Sequence, residues 1–493
     1  MVDYLDPKKK KAHVRRLYIG YVLIAIAIGL AAWILLYIGN GFYLNKNGEV
    51  IQNGLVYVES SPSGAKISLN GKQQNDTTDA RLVIPESTYE LILSADKYRP
   101  WRRTFDLTGG SVRRITYPRM YPVSLKTDVT QTFGEVPDMV ESSVNRRLIM
   151  LHMASSPLQM QIFSTDEPLN APIILTLNSD LITNPQAKAT YRVSEWTENA
   201  EFVLVERTTS EMSEYLLLKT SQINEQRNIT RELNIPSGAT VTMRDRKENQ
   251  YVVYLPADKS IRFADLNNKT LIDQPVAQNV LAFKAFESDK ILYATPSETD
   301  KTKTKIRLFQ SGKVYEIREV LSSEKYFLDM AKLGRTLVML AGSQAEKKIM
   351  VYRNPVEYLQ SNQNVSHPVA TTALRVTNPQ FASFSASASI VMLYGEGEFA
   401  AHEFEADRSY NYKLDLIYDQ TKPLRWMDGA RLNIVSGDYL YSVDFDGSNL
   451  EKLIPGRAAY GAYFDRDYTR LYSFLTSKDG SLFQMTTTRL IAD

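Results

Sequence analysis

The 493-residue chain has no cysteine, only four histidines and only four tryptophans. Without cysteine there is no disulfide, no thiolate nucleophile, no thiolate-bound zinc and no lipid-modified cysteine anchor, so stability comes from packing alone. Charge of one sign is also scarce: 58 basic residues against 56 acidic ones leave a net charge of +2. That balance gives no broad basic surface, and nucleic acid is not expected as a partner. The sequence contains no GxSxG, HExxH, P-loop or GxGxxG pattern, so common hydrolase, zinc-protease, nucleotide and dinucleotide chemistries lack support. His13, His152, His367 and His402 have no partner at metal-ligand spacing, so neither a metal nor a cofactor is expected.

What is present begins with one long hydrophobic run. Residues 17–38 carry no charge and directly follow Lys8, Lys9, Lys10, Lys11, Arg15 and Arg16. Roughly 22 residues at about 1.5 Å each make about 33 Å of helix, enough to cross a hydrocarbon core of about 30 Å. A cleavable signal core is shorter and ends at small residues. The run therefore reads as an uncleaved signal anchor, with the bilayer as its first partner. Cations collect on the cytoplasmic flank, so residues 1–16 form a cytoplasmic tail and the rest is exported. Tyr18 and Tyr21, then Trp33, Tyr37, Phe42 and Tyr43, fall at the two interfaces. A disulfide-free exported chain points to a bacterial or archaeal envelope.

After a link over residues 39–53, short apolar–polar alternations recur as far as residue 125, separated by Ser61-Pro62-Ser63-Gly64 and Asn70-Gly71. Asn-Gly supplies the positive φ of a tight hairpin, so residues 54–125 read as a small β module. The order Pro62-Ser63-Gly64-Ala65, then Asn70-Gly71, resembles the PEGA domain, a small β-sandwich of surface proteins. The likeness departs at Thr77-Thr78, at Pro85-Glu86-Ser87-Thr88-Tyr89 and at Lys97-Tyr98. It implies surface location and adhesion or wall contact, with no catalytic residues. Between Lys97 and Arg119 the basic residues Lys97, Arg99, Arg102, Arg103, Arg113, Arg114 and Arg119 face a single acid, Asp106. Near a bilayer, each such cation is worth about 1 kcal/mol toward an anionic surface.

Residues 126–493 show no amphipathic helix of ordinary length. Paired apolar runs recur instead, as at 202–205 with 215–218, 390–394 with 400–404, and 471–474 with 482–485. Repetition every 40 to 50 residues or so, with several strands per unit, is the mark of propeller blades. The unit from Pro423 shows four strands around the turn Phe445-Asp446-Gly447-Ser448 and resembles TolB-like blades. Eight blades of about 46 residues fill the domain, or seven larger ones. The expected fold class is all-β: a transmembrane helix, a PEGA-type sandwich and a propeller.

Chemistry is sparse in this domain. Asp444-Phe445-Asp446-Gly447 lacks the remaining oxygen ligands of a calcium loop. Asp465 and Asp467 are a candidate acid pair for sugar chemistry, although blade turns are rich in Asp. Among 29 tyrosines, Tyr410 with Tyr412 and Tyr460 with Tyr463 are candidates for a recognition surface. The expectation is a binding or scaffolding protein of the cell envelope that recognises a protein or a wall glycopolymer, and not an enzyme. A glycan-active propeller using funnel carboxylates is the alternative.

Overall fold

The computed structural model describes residues 7–39, 41–44, 48, 50–221, 225–362, 364–456, 460–477 and 482–492; the side chains of Pro7, Lys8, Lys9, Lys10, Ala12, Tyr43 and Leu44 lie outside the described residues. The chain forms two compact units, Met1–Tyr121 and Pro122–Asp493.

The first unit opens with a helix, Pro7–Gly39. It starts ahead of the expected span, so the cationic segment continues the same helix. Its stretch His13–Gly39 is long and apolar enough to cross a membrane, and none of its most apolar part is buried in the protein. Leu23, Leu35 and Leu36 each expose more than 60% of their surface. The segment expected as a plain link contains a short strand, Phe42–Leu44, which pairs with the start of Val50–Val58.

Val50–Val58 is the hub of the first sheet of the sandwich, antiparallel to Ala80–Pro85 and parallel to Val112–Ile115. The second sheet runs in the order Lys72–Thr77, Lys66–Leu69, Ser87–Ser94, Trp101–Leu107. Val56, Val58, Ile67, Leu91, Leu93, Trp101 and Phe105 meet in one core, the expected result of period-2 alternation in strands with one buried face. The hairpin between Leu69 and Lys72 turns on Asn70 (φ 48°) and Gly71 (φ 76°), the two positive φ values that the Asn-Gly pair supplies.

In the second unit the described residues form eight four-stranded antiparallel sheets. Seven are continuous in sequence: 139–176, 190–228, 240–271, 282–321, 326–375, 381–413 and 425–455. The eighth combines Ala462–Phe464, Arg470–Thr476 and Phe483–Arg489 with Thr127–Phe133 from the other end of the unit. This shared sheet closes an eight-bladed ring and settles the count against seven. The closing strand itself was not foreseen. Thr127 and Thr130 exchange hydroxyl hydrogen bonds with Thr488 (2.7 Å) and Thr487 (2.5 Å) along it. Phe133 packs edge-on to Phe163 of blade 1 and beside Phe483 of blade 8, at 6.0 and 6.3 Å between ring centroids.

Adjacent blades share apolar cores: Met150 and Ile162 of blade 1 pack with Val203 and Leu216 of blade 2, and Leu204 and Leu217 of blade 2 with Val241 and Val253 of blade 3. The first strands of neighbouring blades lie against one another and line the central channel. The turn after that first strand repeats one backbone feature. Arg146, Ala200, Asp245, Glu287, Gly334, Ala388 and Tyr468 all sit there at φ between 51° and 60°. In seven of the eight blades a left-handed residue lets the inner strand reverse into the next, with a second at Arg246 in blade 3; the turn of blade 7 has none among the described residues.

Candidate functional site

Because all the inner strands run the same way along the channel, their C-terminal ends converge at one mouth. A cavity of about 510 Å³ lies there, lined from six blades by groups that include Val144, Glu195, Asp245, Lys284, Asp329 and Ser385. Phe286, Met330 and Phe384 give it apolar wall, while Glu198, Arg246 and Glu287 add charge. Most of these charges have a partner. Lys284 Nζ stands 3.4 Å from Asp329 Oδ1, and Glu287 receives Lys290 (2.7 Å) and Lys332 (2.9 Å). The hydrogen bond from Lys290 leads the effects that hold the Glu287 carboxyl below its ordinary range.

Glu195 differs. It follows a bulge in the inner strand of blade 2, where the register shifts between Val193 and Glu195 and re-aims the side chain. Burial pushes its pKa up, against the pull of a 2.8 Å hydrogen bond donated by Met243 N and of the nearby Arg246 and Lys284 cations. Its pKa moves the opposite way from that of Glu287 in the same mouth. Sequence reading missed it, since a lone Glu beside Trp196 carries no motif.

The other acids singled out in the sequence serve the fold. Asp465 is buried and accepts hydrogen bonds from Thr469 N (2.7 Å) and Arg470 N (3.0 Å), which fixes its own turn. Asp467 points outward into solvent, so the two do not form an acid pair. Asp444 is buried against Arg431 (3.1 Å), and Asp446 accepts from Ser448 N (3.1 Å) in a side-chain-capped turn. His152 sits 2.5 Å from Asp138, His367 3.1 Å from Glu316, and His402 3.1 Å from Ser409, each in a different place. No group of three or more His, Cys, Asp or Glu among the described residues is placed to hold a metal.

The tyrosines need correction as a surface. Tyr463 is 3% exposed and donates its hydroxyl to Val140 O (2.8 Å), so it is core. Tyr412 stacks flat on Phe399 at 5.0 Å with its hydroxyl buried. Tyr410 lies edge-on to Phe445 and donates to Glu403 (3.0 Å). Rings on sheet strands gain more by packing than by display. Tyr460 lines a recess on blade 7.

The seven cations of the sandwich do not form one patch. Trp101–Leu107 alternates strictly, which puts Arg102 outside and Arg103 inside. Arg103 is 5% exposed, with its guanidinium 5.2 Å from the centre of the Tyr117 ring, so it belongs to the interior and not to an anion-binding face. Arg113 is half-buried and Arg114 exposed on Val112–Ile115, in the other sheet. Lys97 is exposed, while Arg99 and Arg119 are half-buried.

Residues 53–119 match the PEGA domain family. No curated protein matches the chain. Among solved structures it is similar to Hsv2 of Kluyveromyces lactis (11% identity, 70% of this chain and 95% of that one, TM-score 0.39) and to the Dos1 propeller (12%, 73% and 94%, TM-score 0.43). The Cps50 (Swd1) β-propeller domain of Myceliophteria thermophila is similar at 10% identity over 74% of this chain and 100% of that one, with a TM-score of 0.40. The propeller assignment itself follows from the strand order and its closure. A PEGA domain joined to a propeller fits a binding or scaffolding role.

Proposed function

We propose that this chain is a single-pass protein of a bacterial cell envelope, anchored in the membrane by residues 17–38 with its N-terminus inside. The exported sandwich and propeller bind or scaffold an envelope protein or a wall glycopolymer. The observation that carries the binding reading is the channel mouth: about 510 Å³ of space that draws side chains from six blades, the kind of shared concavity at which ligands settle. The all-round apolar helix with no protein packed on its most apolar part supports the anchor, since such a surface needs another apolar phase. The exposed cations Lys97, Arg102 and Arg114 supply a weaker attraction to anionic headgroups or polymers.

The test is a photo-crosslinking amino acid at Glu198, on the rim of the mouth, in cells that express the full chain. One discrete crosslinked product is expected, reduced at least tenfold by Asp245→Lys. A product of unchanged yield with Asp245→Lys, or none at all from Glu198 or Lys284, contradicts the mouth as the binding surface.

Glu195 favours a second, enzymatic reading. A carboxyl with a raised pKa sharing a cavity with a second carboxyl, Asp329, has the makings of an acid–base pair for glycosidic bonds. Hydrolysis of wall glycan by the full chain, abolished in Glu195→Gln, is the result that this reading requires.

A further inference from the structure

The end of the apolar helix is tied directly into the first sheet of the sandwich. Gly41 O, two residues past the helix, accepts a 2.8 Å hydrogen bond from Asn53 N, and Asn53 O accepts one from Gly110 N at 3.0 Å. Asn53 therefore lies beside the end of the span, inside the strand Val50–Val58. The strand continues from it both ways, about 10 Å to Val50 and about 17 Å to Val58 at roughly 3.3 Å per residue. With residues 17–38 in the bilayer, neither end can dip into hydrocarbon, because the loops that follow would carry unpaired backbone groups there. The strand thus runs along the membrane surface and does not stand upright on it.

The side chains decide which way the sheet is turned. Its inner face is the core of the sandwich. Across the outer face the register sets Leu55 between Val83 and Val112 in one row, two residues on from Asn53. Val83 exposes 60% of its surface and Val112 56%, with Leu55 half-buried between them. The next row is Arg81, Tyr57 and Arg114, with the Arg114 guanidinium 5.7 Å from the centre of the Tyr57 ring. The acids come last, at the end remote from the helix: Glu59, and Asp79, whose carboxylate accepts from Ser60 N at 3.3 Å. Aliphatic groups flanked by a tyrosine and two arginines suit the boundary between acyl chains and headgroups. The outer face of the second sheet has no such row. Each pair across Ser87–Ser94 and Trp101–Leu107 there carries a charge: Thr88 with Asp106, Glu90 with Thr104, Ile92 with Arg102.

We propose that the outer face of this first sheet rests on the bilayer that holds the chain's own anchor, with Val83, Leu55 and Val112 at the headgroup boundary and Arg81 and Arg114 toward lipid phosphates. The sandwich is then a membrane-lying module and not a free spacer. The proposal rests on the anchor reading of residues 17–38 and uses nothing from the channel mouth.

The test uses single thiols, each carrying an environment-sensitive fluorophore, in the full chain held in nanodiscs of phosphatidylcholine and phosphatidylglycerol. Some of the lipids carry a nitroxide quencher at headgroup level. Labels at Val83→Cys and Val112→Cys are expected to be quenched about threefold or more beyond a label at Thr104→Cys, on the outer face of the second sheet. All three positions are exposed, so the fold should hold in each variant. Ala27→Cys, within the span, reports on the anchor itself through a quencher on the acyl chains. Quenching at Ala27→Cys with none at Val83→Cys and Val112→Cys overturns the proposal and leaves the anchor reading standing, whereas no quenching at Ala27→Cys overturns both. Equal quenching at Val83→Cys and Thr104→Cys overturns it, because the sandwich then has no preferred face toward lipid. Shielding of Val83→Cys from water without quenching by lipid overturns it in favour of a protein or polymer on the same face.

Discussion

Arg207→Met is expected to destabilise the propeller by about 3–5 kcal/mol, the usual result of removing one member of a buried ion pair. Arg207 and Glu214 are each 1% exposed and 2.7 Å apart, in the second and third strands of blade 2. Arg207 also donates to the carbonyls of Thr183 (2.9 Å) and Asn184 (3.0 Å), and Asn228 Nδ2 donates to Glu214 at 2.7 Å. Without the guanidinium, a carboxylate stays sealed between blades with only neutral donors, and two loop carbonyls lose their partner. The double variant Arg207→Met, Glu214→Met should be closer to wild type than either single change, since it removes the uncompensated charge as well. Urea titration of the four proteins checks this. Additive losses would show that the pair does not act as a unit.

Phe133→Ala carries the second large effect, also about 3–5 kcal/mol, the usual range for truncating a buried phenylalanine. The residue is 9% exposed and stands on the strand that brings the start of the propeller to its last blade. Its loss weakens the closure of the ring, and not only the local packing against Phe163 and Phe483. Limited proteolysis of Phe133→Ala should therefore cut first in blade 8 and in the loop that follows residue 133. A stability loss below about 1 kcal/mol would mean that the closing strand contributes little. Protection equal to wild type would contradict a ring held shut at this seam.

What the sequence made legible follows from burial. The apolar runs that marked the repeat coincide with the second and third strands of each blade, such as Ile390–Gly395 and Glu398–Glu403, where almost every residue is buried. Strands covered on both faces read as continuous apolar runs. The first strands line a solvated channel and the fourth face outward, so Lys284 or Arg408 interrupts them and their pattern is weak. Thr127–Phe133 was illegible because its pairing partner lies about 350 residues away, and nothing local in a Thr-rich strand reports such a bond.

The site residues show the same limit. Arg103 and Arg207 sit at inward parity with Phe105 and Val205, a signal the alternation contained but that a count of charges overlooked. Tyr412 and Tyr463 could not be told from displayed tyrosines, because aromatic composition is the same for a packed ring and an exposed one. Glu195 depends on a bulge, which leaves no mark in the order of residues.

The absence of native cysteine makes the membrane topology directly measurable, because any introduced thiol is the only one in the chain. Val2→Cys and Lys301→Cys place that thiol in the N-terminal tail and on an exposed turn of the propeller. With a membrane-impermeant maleimide on intact cells, Lys301→Cys should label fully and Val2→Cys only after permeabilisation. Labelling of Val2→Cys in intact cells, or protection of Lys301→Cys until the membrane is opened, would contradict a propeller displayed outside the cell on a cytoplasm-rooted helix.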